Sequence, residues 1–186
     1  TENDTEGHGT HVMGIAAGNG SGTGNGQPAF TYVGMAPEAD LIMVKTNFST
    51  TGIIDGVNYV FQRAAALGKQ AVVNLSLGTE DGPHDGTYGF DTFINALTGD
   101  GKIVVASAGN TGADDMHGQL DLNGTTPQTM TVTVPTYTKN VGTSNDYILF
   151  SGWYSGSDAI SYTITTPSGA VIGPVATGLS STGNST

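Results

Sequence analysis

The sequence predicts an α/β domain built on a parallel sheet flanked by helices, followed by a small antiparallel β-sandwich or jelly-roll-like region. Two observations carry that expectation. Through the first part of the chain, apolar runs of strand length alternate with segments of helical period. Beyond about residue 119 the period becomes two, and no helical segment intervenes. The length, 186 residues, allows one large domain or two small ones at roughly 100–200 residues each.

The elements follow in order. Val12, Ile15 and Ala16 fit one buried face of a helix whose first turn carries His8. Leu41 to Val44 is an apolar run of strand length, and Ala71 to Leu77 (AVVNLSL) and Ile103 to Ala108 (IVVASA) repeat it. Between them Ile53, Ile54, Val57, Val60, Phe61, Ala64 and Ala65 recur at helical spacing, with Gly68 where a helix would stop. Phe90, Phe93, Ile94 and Leu97 do the same ahead of Gly99 and Gly101. Strand, helix, strand, helix, strand predicts right-handed crossovers, and runs apolar on both faces suit a sheet covered on both sides. In the later region Met130, Val132 and Val134 alternate with threonines, and Ile160, Tyr162 and Ile164 alternate with polar residues ahead of a Pro167-Ser168-Gly169 turn. The expected division is 1–118 for the α/β part and 119–186 for the β-rich part.

Composition narrows the function classes. Five Lys and Arg stand against 16 Asp and Glu, a net charge of -11. Nucleic-acid affinity comes mainly from cations that neutralise phosphates, so a nucleic-acid partner is not expected. With 11% charged and 37% hydrophobic residues, the chain has the composition of a folded protein. It has no Cys, which excludes disulfides, thiolate catalysis and Cys-ligated zinc. No stretch approaches the roughly 20 apolar residues of a membrane span, and no basic start precedes an apolar run, so no membrane association is expected.

The most specific segment is Gly7-His8-Gly9-Thr10-His11-Val12-Met13-Gly14-Ile15-Ala16-Ala17-Gly18. A lone histidine is ordinarily a surface or satisfied core residue. Glycines at 7 and 9 are expected to let another backbone come close. This string resembles the histidine motif GHGTHVAGIIAG of the subtilisin-like serine peptidases, with Met13 in place of the usual Ala. Further matches follow in order. Val33-Gly34-Met35-Ala36-Pro37 looks like the family's GVAP turn, Asn74-Leu75-Ser76-Leu77-Gly78 its N-x-SLG segment, and Ser107-Ala108-Gly109-Asn110 its A-A-G-N segment.

The resemblance implies a subtilisin-like serine endopeptidase that cuts polypeptide substrates. His8 would be the general base, since imidazole titrates near neutral pH. The side-chain amide of Asn110 would donate to the developing oxyanion. Ser76, Leu77 and Gly78 and likewise Ser107, Ala108 and Gly109 would be extended backbone walls of the substrate pocket that pair with a substrate strand. Each has a plainer alternative: Asn110 as a turn residue, and Ser76 to Gly78 as the end of a strand. His11 reads as structural, and His84 and His117 as loop residues.

The triad is incomplete in these residues. A hydrolytic triad of this kind runs Asp, His, Ser along the chain. Seven residues precede His8, too few for an aspartate-bearing strand, and Asp4 belongs to the lead-in of the histidine motif. Gly142-Thr143-Ser144 spells the start of the family's nucleophile motif, but Asn145, Asp146 and Tyr147 follow where Met, a small residue and Pro belong. Ser144 is therefore read as a decoy. The simplest account is an internal piece of a longer peptidase, with a jelly-roll-like insertion between the oxyanion segment and the nucleophile. The isolated chain is then expected to be inactive, because triad members act as a unit.

Competing readings stay open. A pseudopeptidase or a binding and assembly module would use the β-rich region for recognition, and Trp153, Tyr154 and Tyr162 could stack on carbohydrate, although strand aromatics are usually core. Gly18 to Gly26 has G-x-G spacings without the Lys of a P-loop, and it follows a helix where a P-loop would open one. Asp114, Asp115 and Asp121 offer hard oxygen ligands, and structural calcium is common in the family, yet no calcium-loop spacing assigns a site. No metal site is assigned and no cofactor is expected to be required. Export from a bacterial cell is what the resemblance implies, and apolar strand edges leave room for self-association or for association with missing parts of a parent chain.

Overall fold

The structure, a computed structural model, describes residues 3–22, 24–142 and 146–181. Its elements are α1 (His8–Ala17), α2 (Thr50–Ala66), β1 (Ala71–Leu75), α3 (Gly89–Leu97), β2 (Lys102–Ala106), β3 (Ser161–Thr165) and β4 (Val171–Ala176). They lie in two compact units, Thr1–Glu80 with His84–Val134, and Asp81–Pro83 with Pro135–Thr186.

In the first unit α2 is delimited by its own chemistry. The Ser49 hydroxyl accepts the Gly52 N–H at 3.0 Å and satisfies one of the helix's free donors. At the other end Gly68 takes φ +66, which a β-carbon would oppose, and the Lys69 N–H turns back to the Ala64 carbonyl at 2.9 Å. Val57, Phe61 and Ala64 form the buried stripe at helical spacing. Val57 and Phe61 pack with Val73 of β1, and Ile94 and Leu97 of α3 and Val104 of β2 close round them. β1 and β2 are parallel neighbours, in register from Ala71 opposite Lys102 to Leu75 opposite Ala106.

The sheet departs from expectation in two ways. It has two strands where three were expected, because Leu41 to Val44 forms no strand. An apolar run becomes a strand only when a neighbour supplies ladder hydrogen bonds. This segment is held instead through side chains. Asp40 pairs with Lys69, the Lys45 ammonium donates to the Asn3 carbonyl at 3.2 Å, and Val44 packs over Gly56 of α2.

The sheet is also covered on one face only. Successive strand residues point to opposite faces, and the core lies on the Val73 and Val104 side. Val72, Ile103 and Val105 on the other side are 65%, 52% and 49% exposed. The histidine helix departs similarly: Ala17 is its buried residue, while Ile15, expected on the inner face, is 58% exposed.

In the second unit β3 and β4 form an antiparallel hairpin, with Tyr162 opposite the buried Val175. Its turn is closed by Thr166 N–H to the Ala170 carbonyl and Gly169 N–H to the Thr166 carbonyl, both 2.9 Å. Gly169 adopts φ +85 there, the reason a Pro-Ser-Gly sequence serves. Met130 to Val134, expected as a strand and belonging to the first unit, is irregular and exposed, and among the described residues no strand pairs with it. Trp153, Tyr154 and Tyr162 are partly exposed, which corrects the view of them as core residues, and the Tyr154 hydroxyl donates to Thr177 Oγ1 at 2.9 Å. Among the described residues no helix is long and apolar enough to cross a membrane.

Candidate active site

His8 is the first residue of α1, preceded by Gly7 as N-cap at φ +80. A glycine cap has no side chain to accept the free N–H groups of the first turn. Asp4 takes that part. Its Oδ1 accepts the N–H of Glu6 at 3.1 Å and of Gly7 at 2.9 Å, and its Oδ2 accepts the Thr10 N–H at 2.8 Å and hydroxyl at 2.6 Å. Four converging donors, the Thr10 hydroxyl foremost, pull the carboxyl from 3.8 to about 2. The Asp4 carboxylate is thus committed to the helix start. His8 is exposed, and among the described residues its ring makes no hydrogen bond to a carboxylate.

The other end of α1 is tied to the Val33–Pro37 turn. Gly34, Met35 and Ala36 donate their N–H groups to the carbonyls of Gly18, Ile15 and Ala16 at 2.7, 3.0 and 2.9 Å. These bonds satisfy carbonyls that a helix end leaves open. The approach is close enough that a β-carbon on Gly34 would lie 2.5 Å from the Gly18 nitrogen. Gly34, rather than Gly7 or Gly9, is therefore the position where backbones meet. Nothing lies within 4 Å of a β-carbon at Gly7, and at Gly9 the neighbour is the Asp4 carboxylate at 3.6 Å.

The second set of residues leaves the carboxyl ends of β1 and β2, where parallel sheets ordinarily form their binding crevices. The in-register ladder delivers Ser76, Leu77 and Gly78 alongside Ser107, Ala108 and Gly109. The Ser107 N–H donates to the Leu75 carbonyl at 3.0 Å and its hydroxyl to the Leu77 carbonyl at 2.8 Å. A β-carbon on Gly78 would be 3.8 Å from Gly109 Cα, so the two backbones run close beside each other. Asn74 Nδ2 donates to Ser76 Oγ at 3.0 Å, as residues two apart on an extended chain can. Further out, the Thr111 hydroxyl donates to Glu80 Oε1 at 2.8 Å.

Asn110 follows Gly109, which holds φ +84. It is exposed at a bend, and its amide makes no hydrogen bond among the described residues. No hydrogen bond joins His8 to Asn110 in that set either. The structure therefore brings the two segments together with Asn110 at the end of one, and His8 stands at the start of α1. Ser144, with Thr143 and Asn145, lies outside the described residues.

The weaker candidates resolve individually. His11 sits inside α1, its N–H bonded to the Gly7 carbonyl at 3.0 Å. His84 and His117 are exposed loop residues. The Gly18 to Gly26 segment follows α1 and opens no helix. Asp114, Asp115 and Asp121 are not drawn together: among the described residues no three His, Cys, Asp or Glu side chains form a group that could hold a metal ion. The clamp by Asp4 and the close approach at Gly34 are the features that the motif matches alone did not reveal. Their signals were an Asp followed three residues later by Gly, and a Gly inside the GMAP turn.

Comparison with known proteins gives an independent line. The model of the Subtilase family matches residues 1–185. The chain is 36% identical over 118 residues to the "Major intracellular serine protease" of Bacillus subtilis (strain 168), a match of 60% of this chain and 32% of that protein. It is 36% identical over 115 residues to a "Subtilisin" of Bacillus sp. (strain TA39), covering 59% and 25%. It is also 35% identical over 111 residues to the "PII-type proteinase" of Lactococcus lactis subsp. cremoris, covering 58% and 6%. The chain thus spans about a third or less of the length of these curated relatives. No solved structure matches it.

Proposed function

The chain belongs to the subtilase family, and from that premise we propose that it is the His-bearing and oxyanion-hole-bearing part of a subtilisin-type serine endopeptidase acting on polypeptide substrates. One observation carries the reading: Ser76–Leu77–Gly78 and Ser107–Ala108–Gly109 leave a register-matched parallel pair side by side, tied by the Ser107 hydroxyl, with Asn110 next in the chain. Two extended backbones so placed can receive a third, the substrate, as an added strand. Asn110, its amide unengaged, is a donor free to meet the oxyanion that forms when the scissile carbonyl is attacked. His8, exposed at the first turn of α1, takes the serine proton as that attack begins and returns it to the leaving amine.

The aspartate that would orient His8 and the serine nucleophile are assigned to residues outside this sequence, and Ser144 is not the nucleophile. The 186-residue chain alone is inactive in this reading. Residues 1–118 form the catalytic part. Residues 119–186 form a jelly-roll-like insertion, a view supported by the β3–β4 hairpin and the period-two pattern. No cofactor or calcium site is assigned. Export from the cell is proposed with the family, while the name of the Bacillus subtilis relative points inward; fractionation of cells against medium decides it.

The test is to produce the chain with its flanking coding sequence and assay hydrolysis of a peptide substrate and labelling by a fluorophosphonate. Activity that vanishes in His8→Ala and with the flanking serine replaced supports the reading. A parent reading frame without an Asp or Ser segment overturns it in favour of a pseudopeptidase or binding module.

A further inference from the structure

We propose that Asp4 is a positioning residue for His8: by clamping the backbone on both sides of the histidine it fixes the helix start from which the imidazole projects. The inference rests on the reading of His8 as the base and deepens it. The geometry is specific. Oδ1 holds the N–H groups of Glu6 and Gly7, before His8, at 3.1 and 2.9 Å. Oδ2 holds the N–H and the hydroxyl of Thr10, after it, at 2.8 and 2.6 Å. His8 is the first helical residue, so Thr10 is the third, whose N–H an N-cap side chain ordinarily accepts. Gly7 cannot do so, and Asp4 reaches past the cap to supply the missing acceptor.

The clamp calls for a carboxylate. All four partners donate, and an aspartate offers two acceptor oxygens where an asparagine offers one acceptor and one donor. The isosteric change Asp4→Asn keeps the size of the side chain and leaves one pair of donors facing an NH2 group. The carboxylate also lies across Gly9, 3.6 Å from where its β-carbon would be, so the clamp spans the residues on either side of His8. Among the described residues no hydrogen bond, from Asp4 or any other group, holds the His8 ring itself. Its direction follows from its own rotamer and from the backbone under it, and Asp4 fixes that backbone.

A cap that merely stabilises α1 would act on the whole helix, and His11 is the internal control for that case. The experiment is carried out on the 186-residue chain by NMR, reading three-bond couplings across χ1 of His8 and His11 and the Thr10 amide shift. In Asp4→Asn we expect the Thr10 amide to shift and the His8 couplings to average, while His11 keeps its wild-type values. Thr10→Val, which removes only the hydroxyl, is expected to do the same more weakly, and Thr10→Ser to restore the wild-type pattern. Unchanged couplings at both histidines in Asp4→Asn overturn the proposal, as does averaging at both together, which shows a stability cap alone. If His8 responds as expected but no longer form of the protein hydrolyses peptides, the clamp stands and only the reading of His8 as a base fails. In an active longer form, Asp4→Asn should lower kcat by about 10- to 100-fold with KM held, the scale on which small misplacement of a reacting group acts.

Discussion

The Ser107 hydroxyl donates to the Leu77 carbonyl at 2.8 Å, joining the two segments just beyond the last ladder pair, Leu75 with Ala106. Strand pairing alone would let the chains diverge there, and this bond keeps them adjacent. A single hydrogen bond of this kind contributes about 0.5–1.5 kcal/mol. Ser107→Ala is expected to lose that much or less in denaturant unfolding and to speed amide exchange at position 107, whose N–H donates to the Leu75 carbonyl at 3.0 Å. Exchange at position 107 as slow as in the wild type would show that the hydroxyl does not hold the segments together.

The purified 186-residue chain should not react with a fluorophosphonate. The reagent needs a serine activated by a correctly placed base, and triad members contribute little singly. Intact-mass spectrometry reads the result directly. Addition of the label, and above all its mapping to Ser144, would show that a nucleophile lies within these residues after all.

In an active longer form, Asn110→Ala should reduce kcat by about 100- to 1000-fold while leaving KM nearly unchanged, the loss seen when one oxyanion-hole donor is removed from a subtilisin. The signature follows from a donor that engages charge present only in the transition state. Equal loss in kcat and rise in KM would instead make Asn110 an ordinary binding or turn residue.

Phe61 and Phe93 separate core from surface. Phe61 is 3% exposed in the cluster with Val57 and Val73, whereas Phe93 is 60% exposed on α3. Phe61→Ala should cost about 3–5 kcal/mol through lost burial and the cavity left behind. Phe93→Ala should stay within about 0.5 kcal/mol. Chemical denaturation of both variants measures the contrast, and similar losses would contradict the packing described.

Acid stability should carry the mark of Asp4. Its carboxyl is lowered from 3.8 to about 2 in the fold, so the folded state binds the proton less readily than the unfolded one. The corresponding stability is fully present above the unfolded value and is lost as pH falls through about 2. Asp4→Asn should flatten the unfolding curve in that window and leave its shape near neutral pH unchanged. A variant whose stability falls with acid as steeply as the wild type would exclude the assignment.

Much of this was legible in the residues, for reasons that differ from place to place. α2 could be read because Val57, Phe61 and Ala64 repeat at helical spacing and Gly68 stops them. β1 and β2 could be read because AVVNLSL and IVVASA are mostly apolar at strand length, whereas Ser76 to Gly78 and Ser107 to Gly109 were singled out by their resemblance to family segments. Leu41 to Val44 has the same apolar character but forms no strand, since pairing depends on a neighbour that local pattern does not specify. Val72, Ile103 and Val105 misled similarly: an apolar face announces that it suits burial without saying what covers it. In the candidate site, the motif matches singled out His8 and Asn110 as expectations. The clamp by Asp4 depends on Gly7 at φ +80, a backbone choice that becomes visible only in three dimensions.

The register of β1 and β2 has a consequence for how this family can vary. Each paired residue lies 31 positions from its partner, 102 less 71 at one end and 106 less 75 at the other. Lengthening the connection between residues 79 and 88 changes that interval without touching a single ladder bond, and doubling such a loop costs only about 0.6 kcal/mol of closure entropy. One residue added inside β1 would instead turn Ser76 to Gly78 to the opposite face while Ser107 to Gly109 stayed in place. Insertions and deletions should therefore accumulate in the connection and be purged from the strands, leaving the two paired segments constant while the surface beside them diversifies.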